Sequence, residues 1–235
     1  EFIHSSDDDL GNLDQTQLQR NNFIIGAMAL YLAYAEAEDI PVLAGETYAQ
    51  GGKRMANDMH KALQLLTENG NWNDAFILIE QGSVRERAAL NSMRVIAGEN
   101  KSANLTIDKY LQLASEREKR LIEELTAVYM TKSSSKPLFL MNAEEMNAAK
   151  KIPVNIESLD EYFTKRKRVP TRMHSLMAGE TLSFVDGKRS YFDIYKAVKA
   201  ESLSAGKFFY GTVTFEDVVK ILDENVKSGA LKLRQ

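Results

Sequence analysis

The sequence predicts a mainly α protein: a helical hairpin or bundle followed by a small α+β unit. Three observations carry this. Apolar residues recur at three- and four-residue spacing through most of residues 14–130. Breakers interrupt that pattern at Pro41, at Asn69-Gly70 and at Gly98. Towards the end of the chain, turn and capping residues punctuate short helical and strand-like segments.

The first helix is predicted from Asp14, a capping residue, to about Glu36. Its middle, Phe23-Ile-Ile-Gly-Ala-Met-Ala-Leu-Tyr-Leu-Ala, is apolar on nearly every side, and such a helix is normally covered on more than one face. After Pro41, a second helical stretch carries Met55, Met59, Ala62, Leu63 and Leu66 and ends at Asn69-Gly70. A third begins near Asn73, carries Phe76, Ile77, Ile79, Val84, Leu90 and Met93, and stops near Gly98, with Gly82 as a predicted bend. A fourth, with Thr106 as its expected cap, carries Ile107, Leu111, Leu121, Ile122, Leu125 and Val128. Thr131 to Lys136 read as a polar linker, and Pro137 rules out a helix running through it.

From Pro137 to Thr181 the pattern is irregular, with Pro153, Pro170 and a basic run from Lys165 to Arg168. Thr181-Leu-Ser-Phe-Val is expected as a strand, closed by Asp186-Gly187. Ser190 can cap a helix over Tyr191 to Ser202, and Thr214 a second one with Glu216 and Asp217 in its first turn, where the helix dipole favours negative charge. Gly229 ends that helix and Ala230-Leu-Lys-Leu returns as a strand. A strand, two helices and a closing strand describe a winged-helix-like unit. The expected organisation is therefore residues 1–36 as a strand end and helix, 37–131 as a helical region, and 137–235 as connector plus winged-helix-like domain.

With 235 residues and 44% hydrophobic content the chain can build a globular core. Residues 1–135 hold 13 basic and 20 acidic side chains, the remainder 17 and 13. That asymmetry suggests two units and is too weak to indicate nucleic acid or membrane. The lack of cysteine excludes disulfides and thiolate metal sites. No apolar run reaches membrane-spanning length, so no membrane segment is expected.

The residue that most suggests chemistry is His4. An apolar pair, Phe2 and Ile3, delivers it to a segment with carboxylates at Asp7, Asp8 and Asp9. A strand-end imidazole with acids close behind is one way to build a corner of a metal site, although one ligand cannot hold a zinc that needs three or four. Taken alone, the three aspartates are a solvated loop with capping carboxylates. His60, beside Met59 and Lys61, reads as a surface residue, and His174 stands in the irregular region. Gly51-Gly52-Lys53 lacks the preceding strand and the spacing of a phosphate loop and is expected to be a helix irregularity. Serines 133 to 135 have no histidine or acid placed to activate them. The basic run could meet phosphates, but the last helix presents Glu216, Asp217, Asp223 and Glu224, which a polyanion would repel. Nucleic-acid binding is therefore disfavoured, and the run is expected to be solvated or docked on the acidic first half.

The segment Ile3-His4-Ser5-Ser6-Asp7-Asp8, followed by Gly11-Asn12-Leu13-Asp14 and an apolar helix, resembles the C-terminal end of the clan MH two-zinc aminopeptidases, the group of leucyl aminopeptidases and glutamate carboxypeptidase-like enzymes. Their pattern there is a strand, His-Thr-x-x-Asp, a short loop and a final helix packed on the sheet. The resemblance makes His4 the last zinc ligand, with Ser5 in place of the usual Thr and Asp8 at the spacing of the motif's Asp. It covers about the first 36 residues, and the family's other ligands and its catalytic glutamate belong upstream of the motif. It implies the C-terminal region of a zinc exopeptidase whose metal-activated water cleaves N-terminal peptide bonds. An upstream peptidase domain and the peptide substrate are then the partners, and this region alone is expected to be inactive and to hold no zinc tightly. Separately, Asp186-Gly187-Lys188-Arg189-Ser190 and Val226-Lys-Ser-Gly-Ala-Leu resemble the winged-helix modules of the PqqD type. The competing expectation is a non-enzymatic interaction module in which the helical and winged-helix parts bind a protein or form a homo-oligomer through the first helix.

Overall fold

The computed structural model describes residues 14–234, so His4 and Asp7 to Asp9 lie outside the described residues. Helix accounts for 73% of the structure and strand for one two-stranded antiparallel sheet, so the chain is mainly α with a small α+β unit.

Helix α1 (Gln15–Tyr34) starts as expected at Asp14, whose carboxylate accepts the Gln17 amide at 3.1 Å. A 3-10 turn (Ala37–Asp39) leads into α2 (Ile40–Asn69), where Pro41 occupies the first turn that tolerates it and Gly70 ends the helix in the left-handed region (φ 63°). Asn71 caps α3 (Trp72–Ser92), the chain turns at Met93 into the single-turn α4 (Arg94–Ala97), and Asn100 caps α5 (Lys101–Met130). The α5 cap is a correction. Thr106 lies inside the helix and returns its hydroxyl to the Ser102 carbonyl, because Asn100 reaches the Ala103 amide a turn and a half earlier.

Helices α2, α3 and α5 pack each against both others as a three-helix bundle. Met55, Ala62, Leu66, Leu78, Ile79 and Leu125 fill one end of its interior, and Ile40, Ala97, Ala103 and Ile107 the other. Gly82 does not bend α3; it lets α2 come close. A Cβ there would lie 2.6 Å from Asp58 Oδ2 and 3.0 Å from Met55 Sδ. Gly51 and Gly52 likewise sit in regular helix, against Glu86 of α3 and Arg117 of α5.

The α+β unit departs from the expected order. Thr181 to Val185 do not form a strand. Helix α8 (Ser175–Ser183) covers most of them, and Thr181 donates its hydroxyl to the Met177 carbonyl one turn back. Burying Met177, Thr181 and Leu182 on one side satisfies a helical spacing that the short apolar run alone did not reveal. The closing strand β2 (Leu231–Leu233) pairs instead with β1 (Pro153–Asn155), in the region read as irregular, with Val154 opposite Lys232. Helix α6 (Ala143–Ala148) precedes β1, and between the strands come α7 (Leu159–Lys165), α8, α9 (Tyr191–Ala205), the short α10 (Lys207–Tyr210) and α11 (Phe215–Lys227). Ser190 and Asp193 form a reciprocal capping box on α9, and Thr214 caps α11, both at the positions expected. Ile194, Val198, Val218, Ile221, Leu222 and Leu231 form the centre of this second core.

The second core is fixed to the bundle through α9 and α3. Lys196 pairs with Glu80 at 2.9 Å and Lys199 with Asp74 at 2.8 Å, all four side chains no more than a quarter exposed. Phe139, just beyond the polar linker, stacks between Phe76 of α3 and Phe192 of α9 at ring-centre distances of 5.1 and 6.3 Å. Helix α1 buries no residue at all.

Two glycine substitutions separate packing from helix propensity. Gly26 of α1 has nothing within 4 Å of a Cβ, so Gly26→Ala should stabilise α1 by up to about 1 kcal/mol. Gly82→Ala carries the same propensity gain but forces Asp58 and Met55 aside, and should cost about 1–3 kcal/mol in urea denaturation.

Candidate functional site

Periodicity places carboxylates at two core positions. Ile79, Ser83, Glu86 and Leu90 follow one another on the buried side of α3, and Asp58 stands between Met55 and Ala62 on the buried side of α2. Both acids are almost fully buried, at 5% for Glu86 and 3% for Asp58. Charges in such positions need partners, and two arginines supply them. Arg54 of α2 grips Glu86 with two parallel bonds, Nε to Oε1 at 2.9 Å and Nη2 to Oε2 at 2.6 Å. Arg85 bridges the two acids, donating Nε to Glu86 Oε1 at 2.8 Å and Nη2 to Asp58 Oδ2 at 3.0 Å. Gly51 and Gly82 leave the space in which these carboxylates sit.

The two acids respond oppositely to the same surroundings. Burial pulls the Glu86 carboxyl upward, but hydrogen bonds from Arg54 and Arg85, with their charges, outweigh it and hold its pKa below the usual glutamate range. For Asp58 burial wins over the single arginine, and its pKa lies above the usual aspartate range.

Asp58 and Arg85 also line a cleft of about 700 Å³ between α3 and the α8–α10 region, walled by Leu78, Met177, Phe184 and Tyr210. Arg85 is committed to Asp58 and Glu86, and Arg189, across the cleft, to Asp186 at 3.0 Å. Desolvation and then the neighbouring Glu180 push the Glu201 carboxyl on the cleft wall above its usual range. The cleft can hold charge in fixed positions. No serine, threonine or lysine paired with an activating base lines it.

The residues singled out from the sequence do not converge. His60 is exposed on α2. His174 caps α8, its Nδ1 accepting the Leu176 amide at 3.3 Å, and its ring lies 5.8 Å from that of Tyr210. Among the described residues no three His, Cys, Asp or Glu side chains are arranged to hold a metal ion. The basic run is exposed, as the solvated alternative expects, and among the described residues it makes no ion pair with the helical bundle. Lys165 pairs with Glu161 on its own helix, and Asn225 of α11 holds the Lys167 backbone by both its amide and its carbonyl. The Arg54–Glu86–Arg85–Asp58 network went unrecognised in the sequence, although acids on an otherwise apolar helical stripe are its signal.

Helix α1 presents a run of uncovered apolar side chains. Phe23, Ile24, Ile25, Met28, Leu30 and Leu32 are all more than half exposed, Phe23 at 77%. Apolar side chains surround the helix, and burying these six against a partner would release on the order of 10 kcal/mol. Among the described residues no helix is long and apolar enough to cross a membrane.

Glu86→Gln removes charge from both arginine bonds and should destabilise the protein by about 1–3 kcal/mol at neutral pH. The stability Glu86 confers is present above the unfolded glutamate pKa and is lost as pH falls through its lower folded value, so the gap to Glu86→Gln should close below about pH 4. Asp58→Asn should show the opposite trend, because the ionised form of Asp58 is disfavoured by folding and wild type weakens as pH rises through its raised pKa. Urea denaturation across pH 3–7 (approximately the carboxylate range) reads both.

Compared with known proteins, the chain matches no protein-family model, no curated protein and no solved structure.

Proposed function

We propose that this chain is the C-terminal accessory region of a zinc-dependent exopeptidase. In it, α1 is the final helix of the peptidase fold, and the bundle and α+β unit are an appended body. The observation that carries this reading is α1 itself. It is capped by Asp14 at its start and apolar around its circumference, yet buries no residue, while the body beyond it has cores of its own. A helix of that composition is made to lie against another surface. The His4 motif that precedes it supplies the identity of that surface by its resemblance, and His4 is the residue proposed to reach zinc. When bound, the metal pair would activate water and polarise the scissile carbonyl. What this chain contributes is the docking helix and the scaffold behind it.

A second reading, a non-enzymatic interaction module, draws on a different feature. Phe208 and Phe209 stand edge to face on α10 at 94% and 64% exposure, between Gly206 and Gly211, both at positive φ. An exposed aromatic pair on a glycine-bracketed turn suits insertion into a protein partner.

The 235-residue chain should show no turnover of an aminoacyl-nitroanilide and no stoichiometric zinc after dialysis against chelator. It should self-associate in light scattering, and Ile25→Glu with Met28→Glu should relieve the association. Zinc retained at one per chain, or turnover abolished by His4→Ala in this chain, would overturn the accessory reading. A clean monomer at high concentration would remove the argument from α1.

A further inference from the structure

Between Glu161 and Glu180 the chain carries five lysines and arginines and no acid. Lys165 is neutralised by Glu161, but Arg166, Lys167, Arg168 and Arg172 are exposed and make no ion pair among the described residues. This is not a loose loop. Asn225, fully buried on α11, accepts the Lys167 amide at 2.9 Å and donates to the Lys167 carbonyl at 3.3 Å and to Ile221 at 2.8 Å. A few residues on, Lys220 donates to the Pro170 carbonyl at 2.9 Å. A buried amide spent on both backbone groups of one residue holds the segment in register, so its basic side chains project from a fixed backbone.

The segment forms one wall of a groove of about 660 Å³ whose other wall is α8. Met173, Ala178, Leu182 and Ile221 give it an apolar floor, Arg166, Lys167 and Arg168 a basic rim, and no carboxylate lines it. Phe163, 66% exposed, stands at its edge. A volume of this size fits a few residues of extended chain. The charge pattern asks for carboxylates flanking an apolar side chain, since the rim would pair with the acids while the floor takes up the apolar group. A nucleic acid is a poorer match. The basic wall is short, and the next depression along α11 sets Glu216 and Asp217 among Arg172 and Lys220, so the positive surface does not continue unbroken.

We propose that this groove between the 166–172 segment and α8 is a docking site for an acidic, apolar-centred peptide segment. The site uses none of the features on which the exopeptidase reading rests, and the two stand or fall separately.

The test is fluorescence anisotropy of the full chain with a labelled pentapeptide alternating aspartate and leucine, beside its lysine–leucine counterpart and a single-stranded oligonucleotide. Two variants divide the interaction. Arg166→Glu with Arg168→Glu reverses the rim at exposed positions. Gly179→Leu fills the groove from α8, where a Cβ meets nothing within 4 Å, and leaves every charge in place. Circular dichroism and urea midpoints confirm that both variants fold. The acidic peptide should bind and the basic one not, affinity should fall about tenfold or more in each variant, and it should weaken with salt. Equal binding by wild type and Gly179→Leu would overturn the groove. Tighter binding of the oligonucleotide than of the peptide, or no peptide binding to wild type, would overturn the assignment of the partner.

Discussion

The structure depends on placing two carboxylates inside a helical bundle. Glu86 and Asp58 occupy positions where α3 and α2 would otherwise meet through apolar side chains; two arginines outweigh the burial of Glu86, and Arg85 offsets that of Asp58 only in part. The geometry is demanding. Bidentate pairing by Arg54 fixes the rotation of α2 about its axis relative to α3, and Arg85 locks the same interface from the other helix. Glycines at 51 and 82 are the backbone counterpart of those charges, because any side chain there would stand where a carboxylate oxygen is. A purely apolar interface would allow small slips of one helix along the other; a buried charge network does not.

The rest of the architecture follows from a bundle held in one register. Its α3 offers Asp74 and Glu80 at the spacing that Lys199 and Lys196 of α9 require, and Phe139 closes the seam where the chain crosses over. The second core then forms around α9 and α11, and its surface carries the anchored basic segment. Helix α1 takes part in none of this, and the cores form without any of its residues.

Much of this was legible in the sequence. The caps at Asp14, Ser190 and Thr214, the stop at Gly70 and the apolar periodicity of the bundle helices each express local chemistry that the fold retains. What the sequence hid was decided by distant residues. Thr181 to Val185 have strand-like composition, yet the chance to bury Met177 and Leu182 together against α9 and α11 draws Thr181 to Ser183 into the last turn of α8. Pro153 to Asn155 become a strand only because Leu231 to Leu233 arrive beside them. Gly51, Gly52 and Gly82 looked like irregularities because their purpose lies in the side chains of other helices. The anchoring of the basic segment depends on Asn225, fifty-eight residues away from Lys167, and no local pattern announces it.

The claim that a buried charge pair sets the register of the bundle is tested most directly by a double-mutant cycle on Arg54 and Glu86, using Arg54→Met, Glu86→Gln and the double variant. Removing Arg54 alone leaves Glu86 buried without its bidentate partner, whereas removing Glu86 alone leaves a half-exposed arginine that water can solvate. The single losses should therefore be unequal, with Arg54→Met the larger. The double variant should recover at least about 1 kcal/mol of their sum in urea denaturation. Strict additivity, with the two single losses equal, would contradict it.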